Sequence, residues 1–186
     1  LNQSYQNFEI IFWDNKSIDN SLKIVKKLQK ENNKIRIFSS KKTIKLYEAR
    51  NKAIQKAKGK YIAFLDIDDT WYKKKLSIQI KKIQSDQTKI IYTNHWITEN
   101  NKKILFAKQK LPYGNLSKQI IRKYPICIST VLLEKKCFQK IGLFNKNYEI
   151  IGDFDFFFRI SHHYKFSIIQ EPVATYYIHG ENFSLL

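Results

Sequence analysis

The first half of this chain alternates short apolar runs of β-forming residues with segments whose apolar residues recur at helical spacing. That alternation restricts the fold more than any other feature. Phe8 to Trp13 (FEIIFW) is nearly continuous in apolar character, as a strand buried on both faces requires. Asp19 or Asn20 can cap a helix striped by Leu22, Val25 and Leu28. Ile35 to Phe38 is a second strand, and Leu46, Ala49, Ala53 and Ala57 mark a helix stopped by Gly59. Tyr61 to Leu65 is a third strand, followed by a helix carrying Leu76, Ile80 and Ile83. Strands alternating with helices predict the α/β class, with a mostly parallel sheet flanked by helices.

The second half reads as mixed α+β laid against the first. Lys89 to Thr98 and Lys103 to Ala107 are extended segments joined by the turn-prone Glu99-Asn100-Asn101. Gly114 to Lys123 is predicted helical, Ile128 to Leu133 extended, Asp153 to His163 helical, and Phe166 to Ile169 and Val173 to Ile178 extended. There is no internal repeat or linker, so residues 1–186 read as a single domain.

With 186 residues, 43% of them apolar and 15% aromatic, the chain can bury a core of its own. Lys+Arg 34 against Asp+Glu 16 gives a net charge of +18, which favours polyanions, acidic lipid surfaces or phosphorylated small molecules. The lysines are spread along the chain, and no nucleic-acid partner is expected. Cys127 and Cys137 stand apart from any Cys or His pair, so neither a disulfide framework nor a zinc site is expected, and a reducing compartment is. No apolar run approaches the ~20 residues needed to span a bilayer. A cytoplasmic protein is therefore expected, with peripheral contact at the inner face of the membrane left open by its basic surface. With Met 0, the chain is expected to be part of a longer protein.

Three carboxylates, Asp66, Asp68 and Asp69, close the apolar run of YIAFLDIDDTW. In an open parallel sheet, ligands bind beyond the carboxyl ends of the strands. Asp14 follows one strand and the acidic turn another, so both are expected on one rim. Two unit charges ~4 Å apart repel by roughly 4 kcal/mol at an effective dielectric of ~20. A divalent cation relieves that repulsion, taking one or two carboxylates and filling its shell with water and phosphate oxygens. The plainer alternative is that these aspartates cap the helix beginning near Tyr72.

Two families share features of this stretch. FLDIDDT resembles the first motif of haloacid-dehalogenase-like phosphatases, in which Asp66 is implied as nucleophile and Asp68 as acid/base. That motif opens its domain, however, whereas here strand-helix-strand-helix precedes it. The whole chain resembles an inverting family 2 glycosyltransferase of the GT-A fold. LNQSYQNFEIIFW is similar to the family's "S-I-L-N-Q-T-Y-x-N-F-E-I-I-V-V", and DNKSIDNS to its "D-D-G-S-T-D". Glu48-Ala49-Arg50-Asn51 with Ala57-Lys58-Gly59-Lys60-Tyr61-Ile62 resembles "A-R-N … A-x-G-x-Y-I" before "F-L-D-x-D-D". Gly142-Leu143-Phe144, then Asp153-Phe154-Asp155 with Arg159, resemble "G-x-F … E-D-x-D-x-x-x-R", and Tyr177-Ile178-His179 the closing "Y-R-x-H".

The resemblance implies a GT-A domain lacking the family's first strand, with a nucleotide-sugar-binding half at 1–94 and an acceptor-binding half at 95–186. It implies a nucleotide-diphosphate sugar donor, contacted by Asp14, Arg50, Asp66 and Asp68. It implies Mn²⁺ or Mg²⁺ held by Asp68, Asp69 and His179, with Asp153 as the catalytic base on a glycan or lipid-linked acceptor. A sugar-binding relative without activity shares these motifs. Plainer roles also exist for single residues: Asp153 as the N-cap of the helix it opens, Arg50 as a brace for its own helix, and His179 as an ordinary strand-end histidine. Trp71 and Trp96 are candidates to stack on a sugar ring. Lys16 stands where the family carries Gly, Asn15 where it carries a second Asp, and Gly152 where it carries Glu.

Overall fold

A computed structural model describes residues 1–100 and 102–179. Strand β1 (Ile10–Asp14) pairs in parallel with β2 (Ile35–Ser39), in register from Ile10 opposite Ile35 to Asp14 opposite Ser39. A parallel pair needs a crossover, and α1 (Ser21–Glu31) supplies it. At its start Asn20 holds the N-cap position without a side-chain cap bond, and Asp19, one residue before it, accepts from the Ser21 amide at 3.0 Å and the Ser21 hydroxyl at 2.9 Å. Helix α2 (Leu46–Lys56) buries Tyr47, Ala49 and Ile54, and leads into β3 (Tyr61–Ala63).

β3 does not extend the first sheet. It forms the edge of a second, ordered β3-β8-β5-β9, with β5 (Ile90–Thr93), β8 (Leu132–Glu134) and β9 (Phe166–Ile169). A third sheet is ordered β4-β10-β6-β7, from β4 (Thr70–Trp71), β6 (Trp96–Glu99), β7 (Lys102–Leu105) and β10 (Ala174–Ile178). Helices α3 (Lys75–Ser85), α4 (Ser117–Arg122), α5 (Cys137–Ile141) and α6 (Gly152–Ser161) complete the described structure.

The expectation of a mostly parallel sheet is corrected. β5 and β9 are parallel, as are β6 and β10, but β8 runs antiparallel to both β3 and β5, and β4 and β7 run antiparallel to their neighbours. An apolar run reports that a strand is covered on both faces; it carries no information on the direction of the strand beside it. Lys89 to Thr98 is also two strands in different sheets. Asn94 makes the break: its side chain donates to the Ala107 carbonyl at 2.8 Å and accepts from the His95 amide at 3.0 Å. Within the predicted Ile128–Leu133 strand, Ile128–Thr130 is a 3-10 turn. Asn101 of the predicted turn lies outside the described residues.

The main core gathers aromatic rings around α6. Phe156 and Phe157 are fully buried, and Phe156 lies 4.5 Å from Phe144 and 5.1 Å from Phe138 between ring centroids. β5 is buried along its length, whereas Ile10 to Trp13 of β1, predicted to be covered on both faces, are half-buried. The reason lies between the sheets: the edges of β1 away from β2 and of β3 away from β8 both border a cleft of about 1750 Å³. Among the described residues, no helix is long and apolar enough to cross a membrane.

Candidate functional site

The acidic turn forms where β3 ends. The Asp69 amide donates to the Asp66 carbonyl at 3.0 Å, closing the turn and presenting its carboxylates to the cleft. They then separate. Arg50, one face of α2 away, donates from Nη2 to both Asp66 oxygens, at 2.7 and 2.9 Å. His179, at the end of β10, lies 2.9 Å from Asp68 through Nε2. Asp69 turns inward, where Oδ1 accepts from the Tyr177 amide at 3.3 Å and Oδ2 has no hydrogen-bond partner. Burial pushes the Asp69 carboxyl up to about 6, hydrogen bonds from Ser129 and Tyr177 oppose this, and the charges of Asp66 and Asp68 add to it. The repulsion inferred from sequence is thus relieved in part by a guanidinium and an imidazole.

Asp153 opens α6 across the same cleft. Its Oδ1 accepts from the Phe154 amide at 2.8 Å, but the N-cap of α6 is Ile151 and Asp153 lies within the first turn, so the N-cap alternative is corrected. The hydroxyls of Tyr47 and Tyr124 lie 3.4 Å from Oδ1 and Oδ2, respectively. Burial pushes the Asp153 carboxyl above the usual range, while the Phe154 amide and the Arg50 charge draw it back. Arg50 therefore acts on both the acidic turn and Asp153.

Asp14 closes β1 beside the cleft. It is buried, its Oδ1 accepts from the Ser17 amide at 3.1 Å, and its neighbours Trp13 and Asn15 line the cleft. Asn15, not selected from sequence, donates to the Ile44 carbonyl at 2.7 Å and accepts from the Ile44 amide at 3.1 Å. Lys16, in the position where the resembled family carries Gly, adopts φ 62°. Tyr47 and Tyr124 were also missed, because neither lies in a motif; the signal was Gly152, where a Cβ would sit 2.5 Å from Cε2 of Tyr47.

Other motif residues brace the site. Asn51 donates to the Phe144 carbonyl at 2.8 Å and accepts from the Phe144 amide at 3.0 Å. Arg159 binds Asp155 at 3.0 Å and donates to the carbonyls of Ile141 and Leu143 at 2.6 and 2.9 Å. Trp71 lines the cleft and donates to the Ser129 carbonyl at 2.7 Å. Trp96 does not border the cleft; the Lys103 ammonium lies 5.0 Å from its ring.

Among the described residues, no three His, Cys, Asp or Glu side chains stand close enough to cage a metal. A sparse site fits better. Mg²⁺ and Mn²⁺ use one or two protein carboxylates beside substrate phosphates; Asp69 Oδ2 is a buried acceptor without a partner, and Tyr177, whose amide binds Asp69 Oδ1, stands two residues before His179, which pairs with Asp68.

The family model "Glycosyl transferase family 2" matches residues 1–160. The chain belongs to glycosyl transferase family 2. The match selects the glycosyltransferase reading over the dehalogenase one. An uncharacterized glycosyltransferase of Rickettsia conorii is 37% identical over 148 residues, 79% of this chain and 24% of that protein. WfgD of Escherichia coli, a UDP-Glc:alpha-D-GlcNAc-diphosphoundecaprenol beta-1,3-glucosyltransferase, is 34% identical over 120 residues, 63% of this chain and 47% of WfgD. The chain thus spans between a quarter and a half of these curated relatives. The crystal structure of S. aureus TarS 1-349 in complex with UDP-GlcNAc matches with a TM-score of 0.83 at 18% identity, covering 99% of this chain and 54% of that one. The α/β fold expected from the motifs is therefore the one observed, with smaller and more mixed sheets.

Proposed function

We propose that this family 2 domain transfers a hexose-type sugar, with inversion, from a uridine-diphosphate donor to a glycan or lipid-linked acceptor in surface polysaccharide synthesis. One observation carries the reading: Arg50 joins the acidic turn to Asp153 across a single cleft, so the donor and acceptor sides of one displacement share a mouth. The donor in the TarS complex and the acceptor in the name of WfgD support the two substrate classes.

In this reading the nucleoside lies against Trp13 and Asn15, on the turn that Asp14 holds. Arg50 and Asp66 orient the diphosphate. Asp153 takes the proton of the acceptor hydroxyl as its oxygen bonds to the anomeric carbon, and the bond from that carbon to the diphosphate breaks. One base on the acceptor side suffices for a single inverting displacement. Asp68, Asp69 and His179 would hold Mn²⁺ or Mg²⁺, which when bound offsets the charge of the departing diphosphate. The basic surface suits peripheral contact with the anionic inner face of a membrane, where lipid-linked acceptors reside.

Thermal-shift screening of the intact protein against nucleotide-sugars, with and without Mn²⁺, tests the proposal. Stabilisation by a uridine-diphosphate sugar that requires Mn²⁺ is expected. A flat response across the panel contradicts it.

A further inference from the structure

Two tyrosines flank Asp153, and they are not equivalent. Tyr47 has one proton to give, and the Ile150 carbonyl accepts it at 2.7 Å, an ordinary length for such a bond. Its ring occupies the space over Gly152, where any Cβ would lie 2.5 to 2.7 Å from ring carbons. Tyr47 therefore clamps the backbone on both sides of Ile151, immediately before Asp153. Tyr124 instead aims its hydroxyl at the carboxylate, 3.4 Å from Oδ2, and its ring packs edge-on against Phe154 at 5.5 Å. Gly152 and Tyr47 belong together, since the Glu that the resembled family carries there could not coexist with this ring.

We propose that Tyr47 and Tyr124 are positioning residues for Asp153, Tyr124 by donating to Oδ2 and Tyr47 by fixing the backbone that presents the carboxylate. This rests on Asp153 being the base. The groups facing Asp153 are Arg50 and Tyr47 from α2, Tyr124 and Cys127 from the segment ahead of the 3-10 turn, and Asp66 behind Arg50. Burial and the Asp153 charge push the Tyr124 phenol well above its usual range, so it keeps its proton and remains a donor. A hydroxyl donated to a carboxylate favours the ionised form. A bond of this length tightens when the acceptor sugar seats.

The test is the pH profile of kcat/KM for release of UDP by the intact protein, with the nucleotide-sugar that gives the largest thermal shift. Tyr124→Phe is expected to move the acidic limb to higher pH by about half to one pH unit. Tyr124→3-fluorotyrosine, a stronger donor of nearly the same shape, is expected to move it to lower pH. Tyr47→Phe is expected to lower kcat about tenfold, through misplacement, with the limb unmoved. Should Tyr124→Phe fail to fold, the fluorotyrosine variant decides alone. A limb at the wild-type position in the folded Tyr124 variants overturns the assignment. Wild-type activity in Asp153→Asn overturns the underlying reading of the base instead.

Discussion

Arg50 Nη2 binds both carboxylate oxygens of Asp66, at 2.7 and 2.9 Å, and its charge also draws down the Asp153 carboxyl. A side chain that serves two carboxylates cannot be removed without disturbing both. Arg50→Ala is expected to lower turnover about a hundredfold and to shift the acidic limb of the rate profile upward, because the base loses a positive charge that favours its ionised form. Asp66 is partly open to solvent, so the stability loss is expected to be only about 1 kcal/mol by urea denaturation.

Asp69 sets stability against function. Its Oδ2 is buried without a partner, and burial holds the carboxyl up at about 6, so near pH 7.5 a desolvated, only partly hydrogen-bonded charge lies beside β10. Asp69→Asn is expected to melt higher than wild type without metal, since removing a desolvated charge relieves its penalty. The same variant is expected to lose the Mn²⁺-dependent part of the thermal shift with donor. Calorimetry with and without Mn²⁺ checks both halves.

Lys16 holds φ 62°, in the left-handed region that favours glycine. An L-residue there costs about 1–2 kcal/mol, partly offset by the extra freedom glycine gives the unfolded chain. Lys16→Gly is therefore expected to stabilise the protein by about 0.5–1 kcal/mol in chemical denaturation. An unchanged or lowered midpoint would contradict the strain.

Lys75 is fully buried, with its ammonium 3.9 Å from the centroid of the Trp71 ring and 2.8 Å from Gln79 Oε1. Burial draws its pKa down to about 7, against about 10.4 for the unfolded chain. Between those values the unfolded state binds a proton that the folded state does not, so this residue makes stability rise with pH over that window. Lys75→Met is expected to abolish that rise. Urea midpoints at pH 7 and pH 9, in both proteins, measure it.

The motifs picked out residues that share a cleft better than the periodicity placed the strands. Asp66, Asp68, Asp69, Arg50 and Asp153 were all legible, and the structure brings them to one cleft. Asp14 lies beside that cleft with its carboxylate engaged at Ser17, a bond that sequence could not foresee because it depends on the left-handed turn at Lys16. The antiparallel β8 was hidden because burial on both faces gives the same apolar run in either direction. The two tyrosines at Asp153 come from 106 and 29 residues away, a separation no local pattern encodes.

The most direct measurement is release of UDP from a panel of UDP-sugars by the intact protein, wild type beside Asp153→Asn, with Mn²⁺ present. The wild type is expected to turn over one donor, and the variant to lose about a thousandfold in rate while its donor-induced thermal shift is kept. Equal rates in the two proteins, or no turnover of any donor by the wild type, would contradict a transferase whose base is Asp153.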